Sequence, residues 1–87
     1  MTQKQLFGYW LQQQRIKNNM TQRQVSDALK YTKPQFVSNW ERGICYPPIK
    51  EYKKIISVLK ADASEFKRLF IQAQSEELVT RLEKALK

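Results

Sequence analysis

The sequence predicts an all-α protein: a compact five-helix bundle with an additional helix at its C-terminal end. Three observations carry this. Apolar residues recur at steps of three and four along most of the chain, and no apolar–polar alternation persists beyond a few residues. Helix-starting and helix-stopping residues also punctuate the sequence at short intervals. A chain of 87 residues has room for one modest core. Its 41% apolar and 28% charged residues give the balance of a folded globular chain, not of a disordered one.

The elements follow in order. Residues 6–18 read as the first helix, with Leu6, Phe7, Trp10, Leu11 and Ile16 near a 3.6-residue period. Asn18 and Asn19 end it, because Asn tolerates the left-handed geometry of a helix stop. Thr21, with Gln24 three residues on, is a capping box that opens a short second helix through Val25, Ala28 and Leu29. Residues 31–33 make a tight connection. Pro34 suits a first helical turn, where its missing N–H has no partner to lose, and the third helix, 34–42, stops at Gly43. The prolines at 47 and 48 keep residues 43–48 in a loop. Residues 49–60 form a fourth helix with Ile49, Tyr52, Ile55, Ile56 and Leu59 on one side. Asp62 and Glu65 make a second capping box, starting a fifth helix that turns Phe66, Leu69, Phe70 and Ala73 inward. Ser75, Glu76 and Glu77 restart a final helix carrying Leu78, Val79, Leu82 and Leu86. Residues 1–62 are expected to form one domain, and residues 63–87 a helical extension.

Composition excludes much chemistry. Without His there is no imidazole base, and a single cysteine, Cys45, supplies neither a disulfide framework nor a zinc cage. Gly8 and Gly43 are too far apart to build a phosphate-cradling loop. The expectation is a protein that is not an enzyme, with no cofactor and no metal. No apolar run nears the roughly 20 residues needed to cross a bilayer. The first residues lack the apolar stretch of a signal peptide. The expected compartment is therefore the cytoplasm, with no membrane partner.

The net charge of +8 is concentrated. Residues 1–60 hold eleven Lys or Arg against three acids, whereas residues 61–87 carry five of each sign. A basic body of this kind attracts polyanions, of which nucleic acid is the commonest. Within it, helices 21–29 and 34–42, joined by a tight turn, have the arrangement of a helix-turn-helix.

The residues themselves carry a more specific signal. Phe7-Gly8, Leu11, Arg15, Met20-Thr21-Gln22, Val25, Leu29, Val37-Ser38-Asn39-Trp40-Glu41-Arg42-Gly43 and Pro47 follow one pattern. From Phe7 to Phe66 the chain resembles the phage-repressor and Cro-like (XRE-type) helix-turn-helix family, over about 60 of its 87 residues. Lys30 stands where Gly usually ends the second helix, and Gln14 where an apolar residue is frequent. The turn is one residue longer than the commonest form, which leaves Thr32 and Lys33 as alternative caps of the third helix.

The resemblance implies a repressor-like bundle and a sequence-specific DNA-binding transcriptional regulator, a repressor that occupies its operator. Helix 34–42 would enter the major groove of double-stranded DNA. Lys33, Pro34, Gln35, Ser38 and Asn39 are then the candidate base contacts. Gln35 and Asn39 share a face, and side-chain amides suit the edge of adenine. Lys33 suits either guanine or a phosphate. Thr21, Gln22, Arg23, Arg42, Tyr46, Lys50 and Lys53 are candidate backbone contacts, which position the protein without reading sequence. Among these, Gln22 matches the family position that commonly holds phosphate. Arg15 and Glu41 are implied to pair, tying the first helix to the end of the third. Phe36 has two readings: beside the exposed set it would touch a thymine methyl, or it packs inward. Val79, Leu82 and Leu86 form an apolar seam that either folds back as core or joins a second copy. A homodimer would place two recognition helices one DNA turn apart, about 34 Å, on a near-palindromic operator. The competing reading is an antitoxin or other protein-interaction module that uses the C-terminal helix to bind a partner protein.

Overall fold

The computed structural model describes residues 1–87 as five helices without strands: α1 (Gln3–Lys17), α2 (Gln22–Ala28), α3 (Gln35–Glu41), α4 (Tyr52–Leu59) and α5 (Ala63–Ala85). A single 3-10 turn, Ile49–Glu51, leads into α4. The fold is the all-α bundle that the periodicity predicts. Its first helix starts three residues earlier than expected. Thr2 and Gln5 form a capping box, the Thr2 hydroxyl accepting from the Gln5 N–H at 3.1 Å and the Gln5 amide oxygen accepting from the Thr2 N–H at 2.9 Å. The same Thr-x-x-Gln spacing caps α2 at Thr21 and Gln24. The signal at Thr2 was therefore legible.

Helices α1 to α4 all stop in the same way. Asn19, Lys30, Gly43 and Lys60 each adopt a left-handed conformation, with φ between 50° and 72°. The N–H of each following residue then reaches back five positions, from Met20 to Arg15, Tyr31 to Ser26, Ile44 to Asn39 and Ala61 to Ile56. This is the closure usually built on glycine. At Lys30 and Lys60 the side chain costs about 1–2 kcal/mol of backbone strain, which the surrounding packing offsets. Lys30, standing where the resemblance leads one to expect glycine, thus keeps the turn.

The core consists of Phe7, Leu11, Val25, Leu29, Val37, Trp40, Ile55, Leu59, Phe66 and Ala73. Beside it lies an aromatic cluster: Phe66 meets Phe7 edge-on at 5.3 Å and Tyr52 at 4.8 Å, and Phe70 meets Tyr46 at 5.5 Å. Through Phe66 and Ala73 the first half of α5 belongs to the same core as the other helices.

Three expectations are corrected. Residues 63–85 form one continuous helix, with no restart at Ser75. No Gly or Pro lies between 62 and 87 to break it, and the Thr80 hydroxyl donates along the helix to the Glu76 carbonyl at 3.0 Å. The expected capping box at its start is half-formed. The Asp62 carboxylate accepts from the Glu65 N–H, but the Glu65 carboxylate instead accepts from the Trp10 indole N–H at 2.8 Å, tying α5 to α1. In addition, the fourth helix opens as the 3-10 turn, so Ile49 is exposed instead of facing inward.

Candidate nucleic-acid interface

Helix α3 is seven residues long, too short to hold its position by its own propensity. Its placement comes from below and from both ends. Val37 and Trp40 are buried against the core. Gly8 of α1 lies beneath the end of α3, where a methyl group would collide with the backbone carbonyl oxygens of Trp40 and Glu41. At the other end, the Ser26 hydroxyl donates to the carbonyl of Lys33 at 2.8 Å and fixes the turn that enters α3. Pro34 occupies the cap position without a side-chain hydrogen bond, so neither Thr32 nor Lys33 caps the helix.

The firmest anchor is ionic. Glu41, whose side chain is 3% exposed, receives two bonds from the Arg15 guanidinium, Nε to Oε2 at 2.7 Å and Nη2 to Oε1 at 3.1 Å. The remaining Arg15 nitrogen donates to the Met20 carbonyl at 2.9 Å, and Gln22 Nε2 donates to Glu41 Oε1 at 2.9 Å. One buried carboxylate thereby joins α1, α2 and α3. Sequence reasoning singled out Gln22 for phosphate and missed this second employment, because no pattern within α2 alone points to Glu41. Its amide is partly buried and oriented by the network.

What these anchors leave outward is a polar strip. Lys33 and Gln35 are exposed, while Pro34, Ser38 and Asn39 are partly buried. The Gln35 amide nitrogen donates to the Asn39 Oδ1 at 2.8 Å, so the two side chains stand as a linked pair. The Gln35 oxygen and the Asn39 amide hydrogens remain for another molecule. Thr21, Arg23, Arg42, Lys50 and Lys53, the candidate backbone contacts, are also exposed. The only ion pairs in the molecule are Lys4–Glu77 and Arg15–Glu41, so none of these cations is neutralised by a carboxylate.

One expected contact is corrected. The Tyr46 hydroxyl is enclosed, with its ring packed between Phe7 and Phe70, and cannot reach a phosphate. Burial, and after it the carboxylate of Glu77, pushes the phenol up to about 12. Tyr52 is raised mainly by burial as well, and its hydroxyl is likewise enclosed without a partner. Phe36 takes the outward of its two readings: it is 50% exposed, with its ring against Tyr31 at 5.2 Å.

The second outward-facing group is apolar. Val79 and Leu82 are about half exposed and Leu86 almost fully so, and none folds back as core. Ile71 and Leu78, which the expected seam of Val79, Leu82 and Leu86 leaves out, are also about half exposed. Reading α5 as one unbroken helix places Ile71, Leu78 and Leu82 at heptad spacing on a single side, nearly opposite Phe66 and Ala73.

No helix of the chain is long and apolar enough to cross a membrane, and no group of three His, Cys, Asp or Glu residues could hold a metal ion. No curated protein and no solved structure matches the chain significantly. A helix-turn-helix family model matches residues 11–66, the span from the middle of α1 to the first turn of α5. With that match over more than half of its length, and with α2, the turn and α3 arranged as described, the chain belongs to the XRE-type helix-turn-helix family of DNA-binding regulators.

Proposed function

We propose that this protein is a sequence-specific transcriptional repressor that binds a near-palindromic operator as a homodimer, with α3 lying in the major groove. The observation that carries the reading is the outward strip of α3. A linked pair of amides, Gln35 and Asn39, stands on a helix locked from beneath by Glu41, and no carboxylate neutralises the candidate backbone cations. Amides meet the donor and acceptor edge of adenine, and the exposed Lys33 meets guanine acceptors. Arg23, Arg42, Lys50 and Lys53, with Thr21 and Gln22 at the start of α2, supply the backbone contacts that hold the helix in register. Repression follows by occupancy, and the protein performs no chemistry.

In this division of labour residues 1–62 read DNA, and within residues 63–87 the outward side of α5 pairs two copies while Phe66 and Ala73 hold it to the core. Support for pairing comes from the aliphatic side of α5, which has no partner within one chain. A single short recognition helix also contacts too few base pairs for firm specificity. The same stripe is what an antitoxin or adaptor would present to a foreign protein, and stoichiometric co-purification of a second protein in place of self-association would favour that reading.

Selection of bound duplexes from a random library tests the proposal. The expected product is two inverted half-sites with centres about 10–10.5 base pairs apart or a multiple of that. These sites should survive competition by random DNA by ~10³-fold or more. A library that emerges unenriched would overturn it.

A further inference from the structure

Phe36 is the one feature of the α3 surface that the polar strip does not explain. It sits in the first turn, three residues before Asn39, so its position neighbours that of Asn39 on the helix surface. Half of it faces solvent, although large aromatic side chains are ordinarily interior. It is nonetheless held firmly. Its ring leans on Tyr31 at 5.2 Å, and Tyr31 meets the buried Trp40 edge-on at 5.7 Å, so three rings run as a buttress from core to surface. Tyr31 is in turn fixed by the N–H it donates to Ser26, which closes α2. The ring is therefore presented in one place before anything binds.

We propose that Phe36 reads the 5-methyl group of a thymine beside the base contacted by Gln35 and Asn39. The inference rests on the DNA-binding reading above and deepens it, adding an apolar contact to a strip otherwise made of amides and cations. The chemistry of the surroundings selects the occupant. The hollow beside the ring is lined by Lys50 and Glu51 as well as by Pro48 and Cys45; Lys50 is exposed and Glu51 partly buried, and the exposed Lys33 lies just before the helix. An apolar protein surface seated on Phe36 would strip water from the Lys50 ammonium and the Glu51 carboxylate, which form no ion pair with each other. A DNA groove offers phosphates for the lysines and a methyl for the ring at once. The methyl is the only apolar projection on the major-groove edge of the bases, and apolar side chains are what meet it.

The test uses the full chain and a duplex recovered by selection, with each thymine replaced in turn by deoxyuridine, which removes only the methyl. The wild-type protein should lose about fourfold in affinity at one thymine per half-site, the scale of one buried methyl group. Phe36→Ala should bind the thymine and uracil duplexes equally at that position while still discriminating the selected duplex from random DNA. Phe36→Leu, which keeps an apolar side chain there, should restore part of the difference. Three results would overturn the inference: no thymine is sensitive to the replacement, the sensitivity persists in Phe36→Ala, or Phe36→Ala dissociates the protein in the absence of DNA, which would mark the ring as a protein contact. A chain that selects no duplex would sink the DNA-binding reading and this inference together. Sequence-selective binding that ignores uracil would sink this inference alone.

Discussion

The outward faces of α3 and of the distal half of α5 are opposites, and their supports differ as much as their chemistry. The α3 strip is polar and lies over dense anchoring: a carboxylate shared among three helices, a glycine-width approach of α1, and a hydroxyl pinning the turn. The distal α5 stripe is aliphatic, and its nearest ties to the bundle are the single Lys4–Glu77 ion pair at 3.6 Å and the Glu76 contact to the Gln3 N–H. Reading bases requires donors and acceptors placed to a fraction of an ångström before contact, because hydrogen bonds are directional. Burying aliphatic area is non-directional, so a pairing helix needs far less support from its own bundle. Each surface thus has the mounting that its proposed partner demands.

The sharpest way to break the comparison is to remove the anchor. Glu41→Ala leaves the Arg15 guanidinium buried without its carboxylate, which should cost about 3–5 kcal/mol. A domain of ordinary stability, about 5–15 kcal/mol, would be left close to unfolding, and DNA binding should fail with it. A urea midpoint equal to that of the wild type would show that α3 does not depend on this pair. The corresponding change on the other surface, Leu82→Glu, should leave the melting temperature almost unchanged, because Leu82 is half exposed. It should nevertheless yield monomers by sedimentation at tens of micromolar and lower affinity for a two-half-site duplex on the order of 100-fold, the gain that linking two modules provides. Unchanged sedimentation would move the pairing surface elsewhere.

The linked amides give a smaller effect. Gln35→Ala, Asn39→Ala and the double variant should show a coupling of roughly 0.5–3 kcal/mol on a selected duplex and none on random DNA, as measured by binding titration. Additive losses would mean that the 2.8 Å bond between the two side chains plays no part in recognition. At high pH the aromatic cluster should weaken the bundle. Tyr46 is raised to about 12 and Tyr52 is also raised, so both keep their protons in the folded chain when the unfolded chain has begun to lose its own near pH 10. The folded state then binds more protons, and stability must fall as pH rises from about 10 towards 12. Tyr46→Phe, followed by urea denaturation across that range, should flatten the decline. The least effect is expected at Lys30→Gly. Relief of left-handed strain is largely offset by the added freedom of the unfolded chain, so stability should rise by less than about 1 kcal/mol.

How far the sequence reveals this molecule depends on whether the deciding forces are local. The Thr21–Gln24 box, the stop at Gly43 and the inward positions of Val37 and Trp40 follow from spacing a few residues long, and the structure has them. Gln35 and Asn39 are four residues apart, so their shared face is also a local property. What escaped required knowledge of a distant partner. Glu65 leaves its capping role for the Trp10 indole, 55 residues away in sequence. Gln22 turns to Glu41, and Tyr46 is walled in by Phe70 of α5. The break expected at Ser75 illustrates a different failure. Ser followed by two acidic residues resembles a helix start, but with no glycine or proline nearby the helix already under way continues through it.

The central claim, that the outward amides of α3 read base sequence, is tested most directly by titrating wild-type protein and Asn39→Ala against the selected duplex and against random DNA at one salt concentration. The prediction is that the ratio of the two affinities drops at least tenfold in the variant, while affinity for random DNA stays where it was. An undiminished ratio, or an equal loss on both duplexes, would contradict it.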